Sequence, residues 1–310
     1  MSRKSYGFEI DVFSYCNLRC PSCLVGMGFG DISAWRHSLM PPSLLERILD
    51  KALSECEVGW VALYNWTEPL LHPEIIRLIG AVKSRSLPCL VSTNLNVLRN
   101  PDELVSRGLD FLRVSLSGFT QDVYQRYHRG GDIDVVKTNM RRLSTAVKAT
   151  GSTTLVQVFY HLYRYNQHEV PAMKLFAEDL GFKFEAAFAY VTVVEKIIEI
   201  IKGNVTKADS DLLEGLAIPL DSAIALTSQT KKTTCGLRED IIPLDTKGNM
   251  MLCTGSSMMP QNIIGNFLDH SIEELQKKRR CMTLCGPCLD LGIEEYLRGQ
   301  QKFESLARSS

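Results

Sequence analysis

Two hydrophobic patterns alternate along the first two hundred positions. Short apolar or alternating runs predict strands at "YGFEIDVF" (6–13), "WVALYN" (60–65), "PCLVSTN" (88–94), "FLRVSLS" (111–117), "TTLVQVFYHL" (153–162) and "FKFEAAFA" (182–189). Between them, apolar residues recur every three or four positions. This predicts helices at "PSLLERILDKAL" (42–53), which opens on Pro42 and Ser43, and at "PEIIRLIGAVKS" (73–84). Further helices are expected near 101–107, over "DIDVVKTNMRRLSTAVKAT" (132–150) and at about 166–180. No Gly/Ser linker or low-complexity segment interrupts these six β–α units, so an α/β fold with a parallel sheet and outer helices follows. Six units predict an open or partial (β/α)6 barrel, with its chemistry at the C-terminal ends of the strands.

The 310 residues suffice for one large domain, or one large and one small. Thirty-five basic residues balance thirty-five acidic ones, which argues against nucleic acid or an anionic membrane surface as the main partner. No apolar run is long enough to span a bilayer, and Glu9 and Asp11 stand where a signal peptide would be apolar. A cytoplasmic location is therefore expected, where thiols stay reduced and ten cysteines point to ligands or reactive groups rather than disulfides. Cys56 and Cys89 lie in apolar surroundings and are expected to fill core. The other eight form two groups, one at each end of the chain.

The first group, "YCNLRCPSCLVG" (15–26), places Cys16, Cys20 and Cys23 directly after the first strand. A closed zinc site takes four ligands, and a cubane iron–sulfur cluster has four corners. Three thiols leave one position open for something other than protein, although a zinc site with a distant fourth ligand shares this local spacing. Cys-x3-Cys-x2-Cys after strand one of a β/α barrel resembles the radical S-adenosylmethionine (radical SAM) enzymes. The resemblance covers roughly residues 6–190 and implies a 4Fe-4S cluster whose free iron is chelated by S-adenosylmethionine. It further implies that "NWTEP" (65–69) is the segment holding the methionine amine, with Glu68 as its carboxylate and Asn65–Trp66–Thr67 in place of the family's glycine turn. "STN" (92–94) brings Asn94, "SLSG" (115–118) brings Ser115 and Ser117, and Arg129 in "YHRGG" matches an arginine for the methionine carboxylate. Ser22 stands where an apolar residue commonly precedes the third cysteine, which leaves adenine stacking to Tyr15 or Leu24. A helix-start role for Glu68, and capping or turn roles for Asn94 and Ser117, are the simpler alternatives.

In the second group, Cys235, Cys253, Cys281, Cys285 and Cys288 fall inside fifty-four residues. "PLDTKGNMMLC" (243–253) reads as a hairpin with "TKGN" as its turn. Cys235-x12-Gly248-x4-Cys253 resembles the opening of the auxiliary-cluster modules called SPASM and twitch domains. That resemblance implies a second 4Fe-4S cluster on Cys235, Cys253, Cys285 and Cys288, with zinc as the alternative. Cys281 is then left over as a candidate hydrogen-atom donor, with Cys253 as second choice, or it is a bystander. The expected organisation is a barrel over 1–190, a helical linker over 191–230 and a small cysteine-rich domain with a C-terminal helix over 231–310.

For function, the resemblance implies hydrogen abstraction by a 5′-deoxyadenosyl radical from a carbinol-type carbon. The first expectation is epimerisation, with a donor thiol quenching the radical; the second, without a donor, is dehydrogenation. The first strand begins near residue 6, so no N-terminal leader-binding domain of winged-helix type is expected, and the layout resembles members acting on aminocyclitols, aminoglycosides and other sugar-like molecules. Glu185, Glu195 and Asp209 could meet a cationic substrate or belong to a solvated face. Peptide modification and a non-catalytic electron carrier are the alternatives. The implied partners are a small molecule and an electron donor such as flavodoxin or ferredoxin, with no nucleic acid or membrane.

Overall fold

The computed structural model describes residues 3–28, 38–230 and 232–298. All six expected strands form: β1 (Ser5–Ile10), β2 (Glu57–Ala62), β3 (Cys89–Thr93), β4 (Phe111–Leu116), β5 (Leu155–Leu162) and β6 (Lys183–Phe188). They pair in parallel and in chain order. Each strand alternates between two surfaces. Leu112, Val114 and Leu116 of β4, and Val156, Val158 and Tyr160 of β5, are buried beneath the helices. Arg113, Ser115, Gln157, Phe159 and His161 occupy the opposite, inner face. The lumen is therefore polar, while the helix-facing side forms the apolar core.

The helices follow their sequence signals. Pro42–Glu55 has a proline in its first turn, where no N–H is missed, and wholly buries Leu45, Ile48, Leu49 and Ala52. Burying each of the three large side chains contributes about 1.5–3 kcal/mol, so packing rather than propensity holds this helix. Asp132 caps Ile133–Thr150 by accepting from the N–H groups of Asp134 and Val135, and Gly151 ends it at φ +62°.

The cysteine-rich segment continues the barrel sheet. The hairpin forms from β7 (Ile241–Leu244) and β8 (Asn249–Met251), and β9 (Ile263–Asn266) extends it. At the turn Gly248 takes φ +78°, and the Asp245 carboxylate accepts from Lys247 and Asn249. β7 runs parallel to β1, from Gly7↔Ile241 to Ile10↔Leu244, and closes a nine-stranded sheet. A parallel neighbour requires a long crossover, and residues 189–240 supply it through the helices Val194–Ile201, Lys207–Gly215, Leu220–Ser228 and Gly236–Asp240. The first three pack with Ile293 and Tyr296 of the helix Ile293–Arg298 into a second apolar core. Cys56 and Cys89 are buried in the first. Among the described residues, no helix is long and apolar enough to cross a membrane.

Candidate active site

The three N-terminal thiols sit in the loop that leaves β1. Cys23 is the N-cap residue of the short helix Leu24–Met27, and its Sγ donates to the Trp66 carbonyl at 3.7 Å. Leu18 N donates to Cys16 Sγ at 3.4 Å. Gly26 is required by space: a Cβ there would lie 1.9 Å from the Cys20 carbonyl oxygen. Arg19 N donates to the Arg129 carbonyl at 2.9 Å, which ties the loop to "YHRGG". Burial raises all three thiols. Cys16 is pushed up to about 12 with the Glu68 carboxylate adding to the effect, and Cys20 is raised further by Cys23 and Cys16.

Two buried carboxylates shape the ground beside this loop. Asp11 Oδ1 accepts from the N–H groups of Asn65 (3.2 Å), Trp66 (3.0 Å) and Thr67 (3.1 Å) and from the Thr67 hydroxyl (2.7 Å). It thereby fixes the turn that presents Glu68. Burial raises Asp11 to about 6 against the pull of these hydrogen bonds. Glu68 Oε1 accepts from Thr93 Oγ1 (2.7 Å) and Leu70 N (3.0 Å), and Oε2 accepts from Asn94 N (2.7 Å). Its own N–H donates to the Tyr15 carbonyl at 3.1 Å. Glu68 thus caps the turn Pro69–Leu71 and also joins the ends of β2 and β3 to the cysteine loop. Burial raises it to about 7. Asn94 Nδ2 donates to Asn17 Oδ1 (3.0 Å) and to Cys16 Sγ (3.7 Å), so Glu68, Asn94 and the first cysteine form one connected set.

The remaining predicted residues separate. Ser115 Oγ faces the lumen and shares a 2.9 Å hydrogen bond with His161 Nε2. Ser117 is wholly buried, and its hydroxyl shares a 2.6 Å hydrogen bond with His128 Nδ1. It stands just past the last residue of β4. Arg129 stays beside the cysteine loop: it is exposed and lines a cleft of about 520 Å³ with Pro21, Tyr163 and Tyr165. Leu24 packs into the core, 1 % exposed, whereas Tyr15 lies under the Arg19 guanidinium.

A cavity of about 250 Å³ opens inside the sheet, lined by Glu9, Tyr64, Arg113, Tyr190, Thr192 and Thr254 among others. Burial, then Asp11, raises Glu9 to about 7 against the opposing effect of Arg113. The Arg113 guanidinium stacks 4.8 Å over Phe159, and its buried Nε has no partner. His161 is held down to about 4 by burial and then by Arg113, so its imidazole is neutral. Sequence reasoning missed Glu9, Asp11, Arg113 and His161 as site residues. The polar positions alternating through β1, β4 and β5 were the available signal.

Beside this cavity stands the second thiol group. Cys235, Cys253, Cys285 and Cys288 line one gap, together with Leu237, Leu252 and Leu284. Cys235 is the N-cap residue of Gly236–Asp240, and the Ser256 hydroxyl donates to the Cys253 carbonyl at 2.9 Å. Cys285 and Cys288 lie three residues apart on the helix Cys285–Asp290. Burial and then Cys235 push Cys253 up to about 12, and burial and then the other three thiols raise Cys288. Cys281 is not brought there: it is exposed at the C-terminal end of the helix Ile272–Arg280 and lines neither gap nor cavity. Glu195 anchors the chain after Cys253 by accepting from Ser257 N (3.1 Å) and Asn262 Nδ2 (2.6 Å). Asp209 pairs with Lys196 at 2.7 Å, and Glu185 accepts from Gln157 Nε2 at 2.7 Å. These acids hold structure rather than facing the cavity.

Among the described residues, no three His, Cys, Asp or Glu side chains are gathered as one metal ion requires. The first loop nevertheless suits an iron–sulfur group, since it carries three thiols and no fourth, with Leu18 N and Asn94 Nδ2 donating to Cys16 Sγ. Together, the parallel β/α sheet, this loop and the buried carboxylate at the strand ends define a partial barrel built around a metal–thiolate group. The chain belongs to the radical SAM superfamily, whose family model matches residues 10–173. Members are enzymes, and the family implies a 4Fe-4S cluster and S-adenosylmethionine. Comparison with curated proteins finds no match. Among solved structures, BtrN in complex with AdoMet and 2-DOIA is 15% identical, with TM-score 0.56, 94% of this chain and 90% of that one covered. Streptococcus suis SuiB bound to precursor peptide SuiA is 13% identical, with TM-score 0.60, 92% and 66% covered. Native anSMEcpe with bound AdoMet and Cp18Cys peptide is 15% identical, with TM-score 0.57, 98% and 99% covered. At these identities the likeness is one of fold.

Proposed function

We propose that this chain is a radical SAM dehydrogenase that oxidises a carbinol carbon of a small sugar-like or aminocyclitol molecule held in the inner cavity. One observation carries this: the cavity bearing Glu9 and Arg113 is lined by Trp66, whose carbonyl accepts from Cys23 Sγ (3.7 Å), and by Leu237 and Leu297, which also line the four-thiol gap, while Cys281 lines neither. Cys16, Cys20 and Cys23 would hold a cluster that passes one electron from an external donor to S-adenosylmethionine, giving methionine and a 5′-deoxyadenosyl radical to take one hydrogen atom, and Cys235, Cys253, Cys285 and Cys288 would hold an acceptor for one electron. Glu68 and Asn94 border the first group, where Glu68 Oε2 offers a lone pair to the amine of S-adenosylmethionine and Arg129 supplies positive charge near Cys20. In the cavity, Glu9 takes the hydroxyl proton as the carbinol becomes a ketone. A carboxyl raised to about 7 is suited to that exchange near neutral pH. Arg113 and Tyr64 orient polar substituents, and about 250 Å³ matches one sugar ring better than a length of peptide. Epimerisation would need a thiol at the cavity, and Cys253 is grouped with the other three.

The test is anaerobic reconstitution followed by S-adenosylmethionine, dithionite and a panel of aminocyclitols. Formation of 5′-deoxyadenosine, a product two mass units lighter and an unimpaired Cys281→Ala variant are expected. A product of the substrate's own mass in ordinary water, one unit heavier in deuterated water and lost in Cys281→Ala, would restore the epimerase. SuiB and anSMEcpe were solved with peptides, so turnover of peptides alone would shift the substrate class. An absence of 5′-deoxyadenosine would leave an electron carrier.

A further inference from the structure

Beside the second thiol group stands a buried cation whose every partner is neutral. Arg279, next to last in the helix Ile272–Arg280, is 0 % exposed and is the largest of the fully buried side chains. Its Nε donates to the Leu252 carbonyl (2.8 Å), and its Nη1 to the Ile241 carbonyl (3.0 Å) and Gln276 Oε1 (3.4 Å). Nη2 is buried without a partner. The neighbouring Arg280 takes the nearby acid, pairing with Glu239 at 2.7 Å on the surface. A guanidinium taken out of water without an anion is strongly disfavoured unless something compensates. The groups close enough to compensate are sulfurs: Cys253, Cys235 and Cys285 all lie within electrostatic reach of Arg279.

We propose that Arg279 is the fixed counter-charge of the iron–sulfur group on Cys235, Cys253, Cys285 and Cys288, holding its reduction potential high enough to accept an electron from substrate. The inference rests on the reading that those four thiols hold a cluster. A cluster with four thiolate ligands is an anion and becomes more negative on gaining an electron. A fixed positive charge at its edge therefore stabilises the reduced form more than the oxidised one. The guanidinium also spans from Ile241 at the start of β7 to Leu252 beyond β8, so a purely mechanical clamp is the competing role. Charge and clamp separate experimentally, because lysine keeps the charge and loses the planar fork.

The experiment uses the full chain with Cys16, Cys20 and Cys23 changed to Ala, so that only the second group is loaded. Iron is counted, and the cluster is reduced stepwise and followed by electron paramagnetic resonance, with Arg279 intact and as Arg279→Lys and Arg279→Gln. Arg279→Gln is expected to keep about four irons. At a given applied potential its reduced-to-oxidised ratio should fall at least tenfold, a shift of about 59 mV for one electron, while Arg279→Lys stays near the parent. Iron lost in Arg279→Gln but kept in Arg279→Lys also supports the charge. Full iron with an unmoved midpoint in Arg279→Gln overturns the proposal, and so does equal damage in both variants, which assigns the residue to the clamp. If the parent with Arg279 intact holds no iron, the cluster reading itself fails and takes this inference with it.

Discussion

Asp11 offers the sharpest test of how the site is held. A single oxygen, Oδ1, takes four of the donors from the Asn65–Thr67 turn, and Oδ2 adds only a 3.3 Å contact with Trp66 N. Asp11→Ala leaves three backbone N–H groups and one hydroxyl to find new partners. Each donor stranded in a buried setting costs about 1–3 kcal/mol. Two effects reduce the total: the turn is only part-buried, so water can reach some donors, and losing the carboxylate relieves the burial that raises it to about 6. A net loss of about 2–4 kcal/mol is expected. Asp11→Asn keeps a carbonyl oxygen in the Oδ1 position and gives up only the charge, at a cost of about 1 kcal/mol. Urea unfolding of the metal-free protein under reducing, anaerobic conditions measures both. A loss below about 1 kcal/mol in Asp11→Ala, or equal damage from Asn and Ala, would refute the single-oxygen description.

Three further outcomes follow from the same geometry. Gly26→Ala puts a Cβ 1.9 Å from the Cys20 carbonyl oxygen, so reconstituted iron should fall from about eight to about four per chain; full iron would show that the loop yields. Glu68→Ala should weaken S-adenosylmethionine binding by about 1.5–3 kcal/mol in equilibrium dialysis, since an ammonium loses a charge-assisted bond; unchanged affinity would remove Glu68 from the cofactor. Glu9 is raised from 4.5 to about 7, so between these values the native chain binds more protons than the unfolded one. Its contribution to stability is present below about pH 4.5 and lost as pH rises through about 7. Glu9→Gln should flatten that fall in urea midpoints between about pH 5 and about pH 8, and an unaltered profile would place the titration elsewhere.

What the sequence determined is what short range can encode. Strand and helix periods, Pro42, Asp132 and Gly151 specified the six β–α units, because each signal acts within a few residues of itself. The triplet Cys16, Cys20 and Cys23 was legible for the same reason, as was the turn at Gly248. Tertiary structure decided the rest. Asp11 meets its partners fifty-four to fifty-six residues away, and no local pattern distinguishes it from any acid at the end of a strand. Ser115 and Ser117 stand two residues apart, yet Ser115 bonds His161 and Ser117 bonds His128, partners that only the folded chain brings to them. The hairpin was foreseen, yet its parallel seat on β1 depends on a crossover of some fifty residues whose path only packing sets. In "QKKRR" composition alone cannot show which way the helix is rotated. Packing turns Arg279 inward beneath Leu252 and leaves Lys277, Lys278 and Arg280 toward water.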